Sequence, residues 1–284
     1  MKIKKRIRFV FVKTVGQYIN ILSYFNPKKA LQLSYALFSQ PRIGKLTKDN
    51  LPNILKNSTS ERLEYKNHHF QTYIWEGNEN ILLLVHGWES NSSRWKKTMP
   101  YLQKSGSTII ALDAPAHGQS SGVEFNVPLY TEFINIAVKK YNPNIIIGHS
   151  IGGAACVYHQ YLFPNSSIQK MVILGAPSDL KTLIDNYIQM LSLNSKIFTL
   201  LENRYLEIFN FKLEDFSGRK FASTISIPGI IAHDKSDKVV SFSEGKKIAS
   251  TWKDARFIET ENLGHSMSDA DLYKEITEFL FETE

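Results

Sequence analysis

The stretch that decides the fold is Ile145-Ile146-Ile147-Gly148-His149-Ser150-Ile151-Gly152-Gly153. Three consecutive isoleucines are typical of a strand buried on both faces, and a helix is predicted over residues 151–163. The pattern G-x-S-x-G therefore lies at a strand–turn–helix junction. So tight a turn requires small residues two positions on either side of the serine, and it exposes the hydroxyl at a helix N-terminus. We predict that Ser150 is a nucleophile whose turn is shaped by Gly148, His149 and Gly152.

A base must accompany this serine, because a hydroxyl is a weak nucleophile until its proton is removed. The chain has eight histidines. His265 is our candidate, since it lies in the loop between the last predicted strand and the last predicted helix, where side chains can project from the C-terminal edge of a sheet. His149 is held beside the serine and cannot easily face it.

A carboxylate must in turn hold the imidazole in one tautomer and stabilise its charged form. The segment Ile231–Val240 offers Asp234 and Asp237. Asp237 lies farther into the loop and is preferred, and Asp234 is then expected to bond to its own backbone in a turn. The resulting chain order is serine, acid, histidine, which differs from the orders in chymotrypsin-like and subtilisin-like enzymes.

Two main-chain N–H groups are candidates to bind the oxyanion of a tetrahedral intermediate. One belongs to Ile151, next after the predicted nucleophile. The other belongs to Trp88 in His86-Gly87-Trp88, which follows a strand predicted over residues 81–85. Gly87 would let the main chain approach the substrate closely, and His86 would support this loop.

Apolar runs alternate with helical spacing over most of the chain. Strands are predicted over residues 69–75, 81–85, 108–112, 144–147, 171–174, 227–232 and 256–258, and helices over 93–104, 129–140, 151–163, 242–251 and 269–281. This alternation predicts an α/β fold, with a mostly parallel central sheet flanked by helices. Between residues 179 and 222 the spacing is helical throughout, which predicts an insert that lies over one edge of the sheet as a lid.

Residues 1–58 have a different composition. They hold twelve lysines and arginines against the single acid Asp49, so this segment is strongly basic and residues 59–284 are mildly acidic. The apolar stripe of a helix is formed by Ile3, Ile7, Phe11, Val15, Tyr18, Leu22 and Phe25. A second helix is predicted from Pro27 to the residue before Pro41. We therefore predict a basic helical extension over 1–58 and one α/β domain over 59–284 that contains the insert.

Charge placement argues against a nucleic-acid partner, because the basic residues lie in the extension rather than along a channel through the body. An anionic membrane surface that receives residues 1–25 fits this placement better, with Lys2, Lys4, Lys5, Arg6, Arg8 and Lys13 as the basic residues. The alternatives are a solvated helix face and packing of the two helices on the body.

Localisation is expected to be cytoplasmic, peripheral at the inner membrane face where the extension binds. No run approaches the roughly 20 apolar residues that span a bilayer, and Lys13 and Gln17 interrupt the apolar run that a signal peptide would need. The chain has a single cysteine, Cys156, and therefore cannot form an intramolecular disulfide. A protein without disulfides is compatible with a reducing compartment such as the cytoplasm.

The ordered motifs together resemble the α/β-hydrolase superfamily, and among its members the serine hydrolases of the esterase or lipase kind. They are His86-Gly87-Trp88, Asp113-Ala114-Pro115-Ala116-His117-Gly118-Gln119-Ser120, Gly148 to Gly153, Asp237 and Gly264-His265, and they cover about residues 65–284. The resemblance implies an eight-stranded, mostly parallel sheet, a helical cap over the site, and cleavage of an ester, thioester, amide or related bond without a cofactor. A serine at position 150 disfavours members with an aspartate nucleophile. No metal motif such as H-E-x-x-H occurs in the sequence.

We predict that the chain hydrolyses a carboxylic ester, either a small molecule or a lipid, through an acyl-enzyme on Ser150. Apolar residues of the insert favour an apolar acyl group. The alternatives are an acyltransferase or a thioesterase on the same fold, and a non-catalytic module that binds a ligand. Fold alone does not define the substrate.

Overall fold

The computed structural model describes residues 2–164 and 167–281, with side chains from residue 6 onward. Its α-helices are Lys2–Phe25 (α1), Pro27–Ser39 (α2), Asn53–Lys56 (α3), Met99–Leu102 (α4), Val127–Tyr141 (α5), Ile151–Leu162 (α6), Leu180–Leu191 (α7), Ser195–Phe209 (α8), Gly218–Ala222 (α9), Phe242–Ala249 (α10) and Ala270–Phe281 (α11). Its strands are Thr59–Tyr65 (β1), His68–Trp75 (β2), Asn78–Val85 (β3), Ser107–Leu112 (β4), Ile145–His149 (β5), Lys170–Leu174 (β6), Gly229–Asp234 (β7) and Ala255–Thr260 (β8). Short 3-10 helices include Ser92–Lys97, Gln103–Ser105 and Gly264–Ser266.

The eight strands form one sheet in the order β1-β2-β4-β3-β5-β6-β7-β8. β1 pairs with β2 and β2 with β4 in antiparallel fashion, and every other neighbouring pair is parallel. All five residues of β5 are buried, as expected for a central parallel strand that is covered on both faces. The predicted α/β class with a mostly parallel sheet is therefore confirmed.

Two of the differences from the sequence prediction concern β1 and residues 93–104. β1 was not predicted, because as an edge strand it buries only Leu63 and shows no apolar alternation. The helix predicted over residues 93–104 is instead a 3-10 helix, the short helix α4 and a second 3-10 helix. Pro100 lies in the first turn of α4, and because proline has no main-chain N–H, it interrupts a continuous helix.

The chain divides into two compact units, and this division differs from the predicted boundary at residue 58. One unit contains the sheet and comprises Pro41–Ser178 and Gly218–Glu284, and the other is helical and comprises Met1–Gln40 and Asp179–Ser217. Residues 41–58 go with the sheet unit because Leu55 and its neighbours pack in that unit's core. The helices of the insert go with the N-terminal helices because the two sets share one apolar core. The position of the insert as a lid stays a prediction.

Four helices build the core of the helical unit. Its buried members include Ile19 of α1, Ala30 and Tyr35 of α2, Ile184, Tyr187 and Leu191 of α7, and Ile197, Leu201 and Tyr205 of α8. At Gly16 the helix α1 lies close against the end of α7, since a β-carbon there would lie 1.8 Å from the main-chain oxygen of Leu191. The glycine that lowers the helix propensity of α1 is thus the residue that allows this packing.

The apolar stripe predicted for α1 is divided between two faces. Val15 and Leu22 pack against the core of the helical unit, together with Val12 and Ile19. By contrast, Ile7, Phe11, Tyr18 and Phe25 are 63%, 66%, 55% and 84% exposed. The Nζ of Lys13 donates to Gln189 O (3.0 Å) and Ser192 Oγ (2.7 Å) at the end of α7, so this predicted basic residue also holds α1 to α7. Side chains at positions 2–5, including Ile3 and three predicted basic residues, lie outside the described part.

Within the part of the chain that the structure describes, every helix is too short or too polar to span a bilayer.

His159 in α6 is a buried histidine that lowers the stability of the sheet unit. Neither of its ring nitrogens has a hydrogen-bond partner, and burial, with the nearby Lys139 charge, lowers its pKa to about 4. In an unfolded chain the pKa of histidine is about 6.5. Because the unfolded state takes up more protons between these two values, His159 makes the protein lose stability as the pH falls from about 6.5 to about 4.

We expect His159→Leu to raise the free energy of unfolding at pH 7 by about 1–2 kcal/mol, because two unsatisfied polar atoms are removed. The gain should grow at pH 5, where the wild-type protein loses stability through His159 and the variant does not. Urea denaturation at both pH values measures this, with His68→Leu as a control at a partly exposed position. A variant less stable than wild type at both pH values would show that His159 has a stabilising role.

Candidate active site

Ser150 lies in the turn that links β5 to α6. Its φ is 55° and its ψ is −131°, a strained conformation for a residue with a β-carbon. The Ser150 N–H donates to Leu174 O on the neighbouring strand (2.8 Å), which anchors the turn. A β-carbon at Gly148 would lie 2.6 Å from the Cα of Gly153, and one at Gly152 would lie 2.3 Å from His86 O. The small residues that the motif requires are therefore required by contacts in the fold.

Ser150, His265 and Asp237 form a continuous chain of hydrogen bonds. His265 Nε2 lies 2.9 Å from Ser150 Oγ, and His265 Nδ1 lies 2.7 Å from Asp237 Oδ2. With the proton on Nδ1, this nitrogen donates to the carboxylate and Nε2 is free to accept the serine proton. The His265 side chain is 20% exposed whereas Asp237 is fully buried, so the imidazole is reachable and the acid is shielded.

The Asp237 carboxylate is stabilised in its ionised form. Burial alone would raise its pKa, but hydrogen bonds from His233, from His265 and from the main-chain N–H groups of Val239 and Val240 outweigh burial. The pKa of Asp237 therefore lies well below its ordinary value, and the group is a carboxylate at neutral pH.

Asp234, the alternative acid, has a structural position instead. Its carboxylate accepts from the main-chain N–H and hydroxyl of Ser236 (2.9 and 2.5 Å), from Thr260 Oγ1 (2.9 Å) and from the Leu263 N–H (2.9 Å). Burial opposes ionisation, but these hydrogen bonds prevail and lower the pKa of Asp234 to about 2. Asp234 thus joins its own turn to the loop that leads to His265.

The main-chain N–H groups of Trp88 and Ile151 have no protein acceptor within the described residues. Ile151 is the first residue of α6, where N–H groups lack partners inside the helix. Gly87 brings the first loop against the nucleophile, because a β-carbon at Gly87 would lie only 2.8 Å from Ser150 Cβ. Both N–H groups are therefore available to donate hydrogen bonds to an oxyanion that develops beside Ser150 Oγ.

Two further histidines fix the shape of the site. The Ala114 N–H donates to His86 Nε2 (3.0 Å), so His86 Nδ1 carries the proton and donates to Gly87 O (2.8 Å). His149 Nε2 lies 2.8 Å from His265 O, to which it donates. Burial lowers the pKa of His86 to about 4 and that of His149 well below its ordinary value, so both rings are neutral at neutral pH. Each ring joins main-chain groups of the loops around the site through its hydrogen bonds.

His233 is a residue of this site that the sequence did not predict. It is fully buried, and its Nε2 lies 3.1 Å from Val240 O and 3.5 Å from Asp237 Oδ2, the same carboxylate oxygen that contacts His265. A histidine at the end of a buried strand carries no motif that could have indicated this contact.

Asp113, in the loop after β4, supports the same edge of the sheet. Its buried carboxylate accepts from the main-chain N–H and hydroxyl of Ser92, from the Gln119 N–H and from Tyr73 OH.

Among residues 2–164 and 167–281, His, Cys, Asp and Glu side chains nowhere form a group of three or more that could hold a metal ion.

Comparison with known proteins identifies the family. A family model described as alpha/beta hydrolase fold matches residues 80–224. The bifunctional esterase/perhydrolase DCH of Acinetobacter calcoaceticus is 22% identical over an alignment 239 residues long, gaps included, that covers 66% of this chain and 85% of that protein. Among solved structures, alpha/beta hydrolase domain-containing protein 10 from mouse aligns with a TM-score of 0.61 at 14% identity, over 78% of this chain and 97% of its own. A bromoperoxidase from Bacillus anthracis aligns with a TM-score of 0.59 at 18% identity, over 78% and 98% of the two chains.

The chain belongs to the α/β-hydrolase fold family. The predicted resemblance to this superfamily is confirmed, and curated relatives named as an esterase and a serine hydrolase lie among the matches. The segment matched by the family model contains Trp88 and Ser150, whereas Asp237 and His265 lie beyond it. Structures of this low identity share the fold, so the reaction must be argued from the site itself.

We expect Asp234→Asn to destabilise the protein at pH 7 by about 2 kcal/mol, because the folded state holds the ionised form. The folded pKa lies below the unfolded value of about 3.9, so this contribution is present above that value and is lost as the pH falls toward about 2. Denaturation curves of wild type and variant should therefore differ at pH 7, by about half as much at pH 3, and converge toward pH 2. The exposed carboxylate of Asp254 gives the control, Asp254→Asn. Equal stabilities at pH 7 would contradict the role given to Asp234.

Proposed function

We propose that the protein is a serine hydrolase that cleaves a carboxylic ester. The observation that carries this proposal is the hydrogen-bond chain from Ser150 Oγ through His265 to Asp237, with distances of 2.9 and 2.7 Å. Its position at the strand–turn–helix junction supports the proposal, and so does the esterase name of a curated relative.

The first half of the reaction forms an acyl-enzyme. Ser150 Oγ attacks the ester carbonyl carbon while His265 Nε2 takes the hydroxyl proton, and the carbonyl oxygen becomes an oxyanion that receives the N–H groups of Trp88 and Ile151. The intermediate then collapses, the bond to the alcohol oxygen breaks, and His265 returns the proton to the leaving alcohol.

The second half repeats these steps with water. His265 removes a proton from water, which attacks the acyl carbon, and the proton then returns to Ser150 Oγ as the carboxylic acid leaves. Asp237, ionised at neutral pH, holds the imidazole in its tautomer and stabilises the imidazolium that forms in both halves. An apolar acyl group stays the prediction drawn from the insert.

Labelling with a fluorophosphonate probe tests this proposal. We expect wild type to be labelled at Ser150, and Ser150→Ala to lose labelling and to lose turnover of simple esters by roughly 10⁴ or more. Ser223→Ala, at an exposed serine at the end of α9, should keep both. An unlabelled wild-type protein without Ser150-dependent turnover would favour the alternative of a non-catalytic ligand-binding module.

The same assay distinguishes the alternatives within the fold. Turnover of a thioester and an ester with one acyl group compares the thioesterase with the esterase. Addition of an alcohol acceptor compares acyl transfer with hydrolysis, because a transferase would form the new ester at the expense of the free acid. We expect free acid to dominate in both conditions.

We further propose that α1 attaches the protein to an anionic membrane surface. The face of α1 opposite its packed side presents an outer stripe, defined as Ile7, Val10, Phe11, Tyr18, Ile21, Tyr24 and Phe25, in which every side chain is more than half exposed. Arg6 and Arg8 are exposed beside its first turns, and the basic composition of residues 1–58 complements a negative surface. An interfacial helix of this kind gains affinity from buried apolar area and from charge attraction.

Vesicle co-sedimentation tests this attachment. We expect Phe11→Ser/Phe25→Ser to bind vesicles of phosphatidylcholine and phosphatidylglycerol at least about tenfold more weakly than wild type, since two aromatic side chains no longer enter the interface. Ile43→Ser/Val123→Ser, at two exposed apolar positions of the sheet unit, is the matched control and should bind like wild type. Equal binding by both double variants would remove the proposal, and so would an outer stripe that instead joins two copies in analytical ultracentrifugation.

A further inference from the structure

A pocket lies in the sheet unit, between the segment that follows β3 and the turn that carries His265. Its volume is about 370 Å³, which is within the range of small-molecule sites. Leu174 forms part of its wall, and the main-chain oxygen of the same residue accepts the Ser150 N–H. Ser266, which follows His265, forms another part. The pocket therefore adjoins the residues that hold both the serine and the histidine.

Two buried N–H donors without partners belong to residues that line this pocket. They are Arg94 Nε and Trp95 Nε1, both enclosed and both without a hydrogen-bond acceptor. Buried donors are almost always paired in folded proteins, so two neighbouring exceptions need an explanation. Since both groups can only donate, the missing partner must be an acceptor.

The guanidinium of Arg94 is a charge without a counter-charge. One N–H of Nη2 donates to Ser266 O (2.9 Å), and within the described residues no carboxylate forms an ion pair with the side chain. Burial lowers the pKa of Arg94 to about 10, which leaves the group protonated at neutral pH. An enclosed cation normally has an anionic or strongly polar partner.

The remaining lining has the same sign of charge. Lys96 and Lys97 follow Arg94 around the pocket, and no lining residue is acidic. Ser268 and Tyr273 add hydroxyl groups that bond to each other (2.9 Å). Three cations with hydroxyl groups and an indole N–H make a set of donors that suits a carboxylate or a phosphate.

We propose that this pocket binds an oxyanion group, carboxylate or phosphate, that the substrate carries in addition to the scissile ester. Arg94 is the specificity-determining residue, and the exposed Lys97 adds a second positive charge to the lining. The proposal rests on the proposed ester hydrolysis for the statement that the ligand is a substrate, whereas the binding of the anion does not depend on catalysis.

Binding is measured first, by isothermal titration of inorganic phosphate and of glutarate at low ionic strength, with chloride as the reference anion. We expect at least one of the two anions to bind wild type, and Arg94→Gln and Lys97→Glu to bind it about tenfold or more weakly. Lys97→Glu keeps the bond from Arg94 to Ser266, so it separates loss of charge from a disturbed histidine turn. The control is Lys139→Glu on α5, which should bind like wild type. Phosphate binding alone indicates a phosphorylated ester, and glutarate binding alone indicates the monoester of a dicarboxylic acid.

Turnover is measured second, with the neutral ester p-nitrophenyl butyrate and the anionic ester p-nitrophenyl hydrogen glutarate. Wild type should prefer the anionic ester in kcat/KM, Lys97→Glu should lose about tenfold of this preference, mainly through KM for the anionic ester, and Lys139→Glu should keep it. Neither anion binding to wild type, or equal binding by the pocket variants and the control, overturns the pocket proposal. Those results leave Ser150-dependent turnover of the neutral ester untouched, so the two proposals fail separately.

Discussion

At Ser150 the main chain turns from β5 into α6 with a φ of 55°, a conformation that costs a residue with a β-carbon on the order of 1–3 kcal/mol. The surrounding fold maintains it through the hydrogen bond to Leu174 and through two glycines whose missing β-carbons leave room for the crossing main chain. Gly87, which has no β-carbon, allows the loop after β3 to pack directly against Ser150. The reach of the hydroxyl toward His265 depends on this one turn, and so does the start of α6 at Ile151 directly after the serine.

Exposure and protonation explain why one imidazole among several can serve as the base. His86 and His149 are buried and neutral, and each uses its proton in a bond to a main-chain oxygen. His233 is buried behind the acid. His265 alone of these four is part-exposed and contacts both a hydroxyl and a carboxylate. A buried neutral ring can position a loop, but only a ring with a free nitrogen toward the hydroxyl can move its proton.

Local pattern and chain order were enough to select three residues that the fold brings into contact, because a serine at a strand–turn–helix junction leaves few places for its partners. The sequence placed Asp237 ahead of Asp234, and in the structure Asp237 is the carboxylate that contacts His265 while Asp234 bonds to its own turn and the next loop. His233 could not be found in this way, since its contact depends on the path of β7 in three dimensions. The grouping of α1 with the insert was also out of reach, because it rests on the close approach at Gly16 across many intervening residues.

Two buried charges beside the site are treated differently by the fold. Asp237 receives hydrogen bonds from two imidazoles and two main-chain N–H groups, so its charge is satisfied within the protein. Burial lowers the pKa values of His86 and His149, and the positive charge of the nearby Arg94 lowers both further. Arg94 itself donates one hydrogen bond, to the main-chain oxygen of Ser266. Arg94 is part-buried, and its enclosed Nε, a buried donor without an acceptor, is destabilising unless something else supplies one. The fold therefore satisfies the carboxylate of the hydrogen-bond chain within the protein, whereas the proposed oxyanion ligand would supply the acceptor that Arg94 lacks.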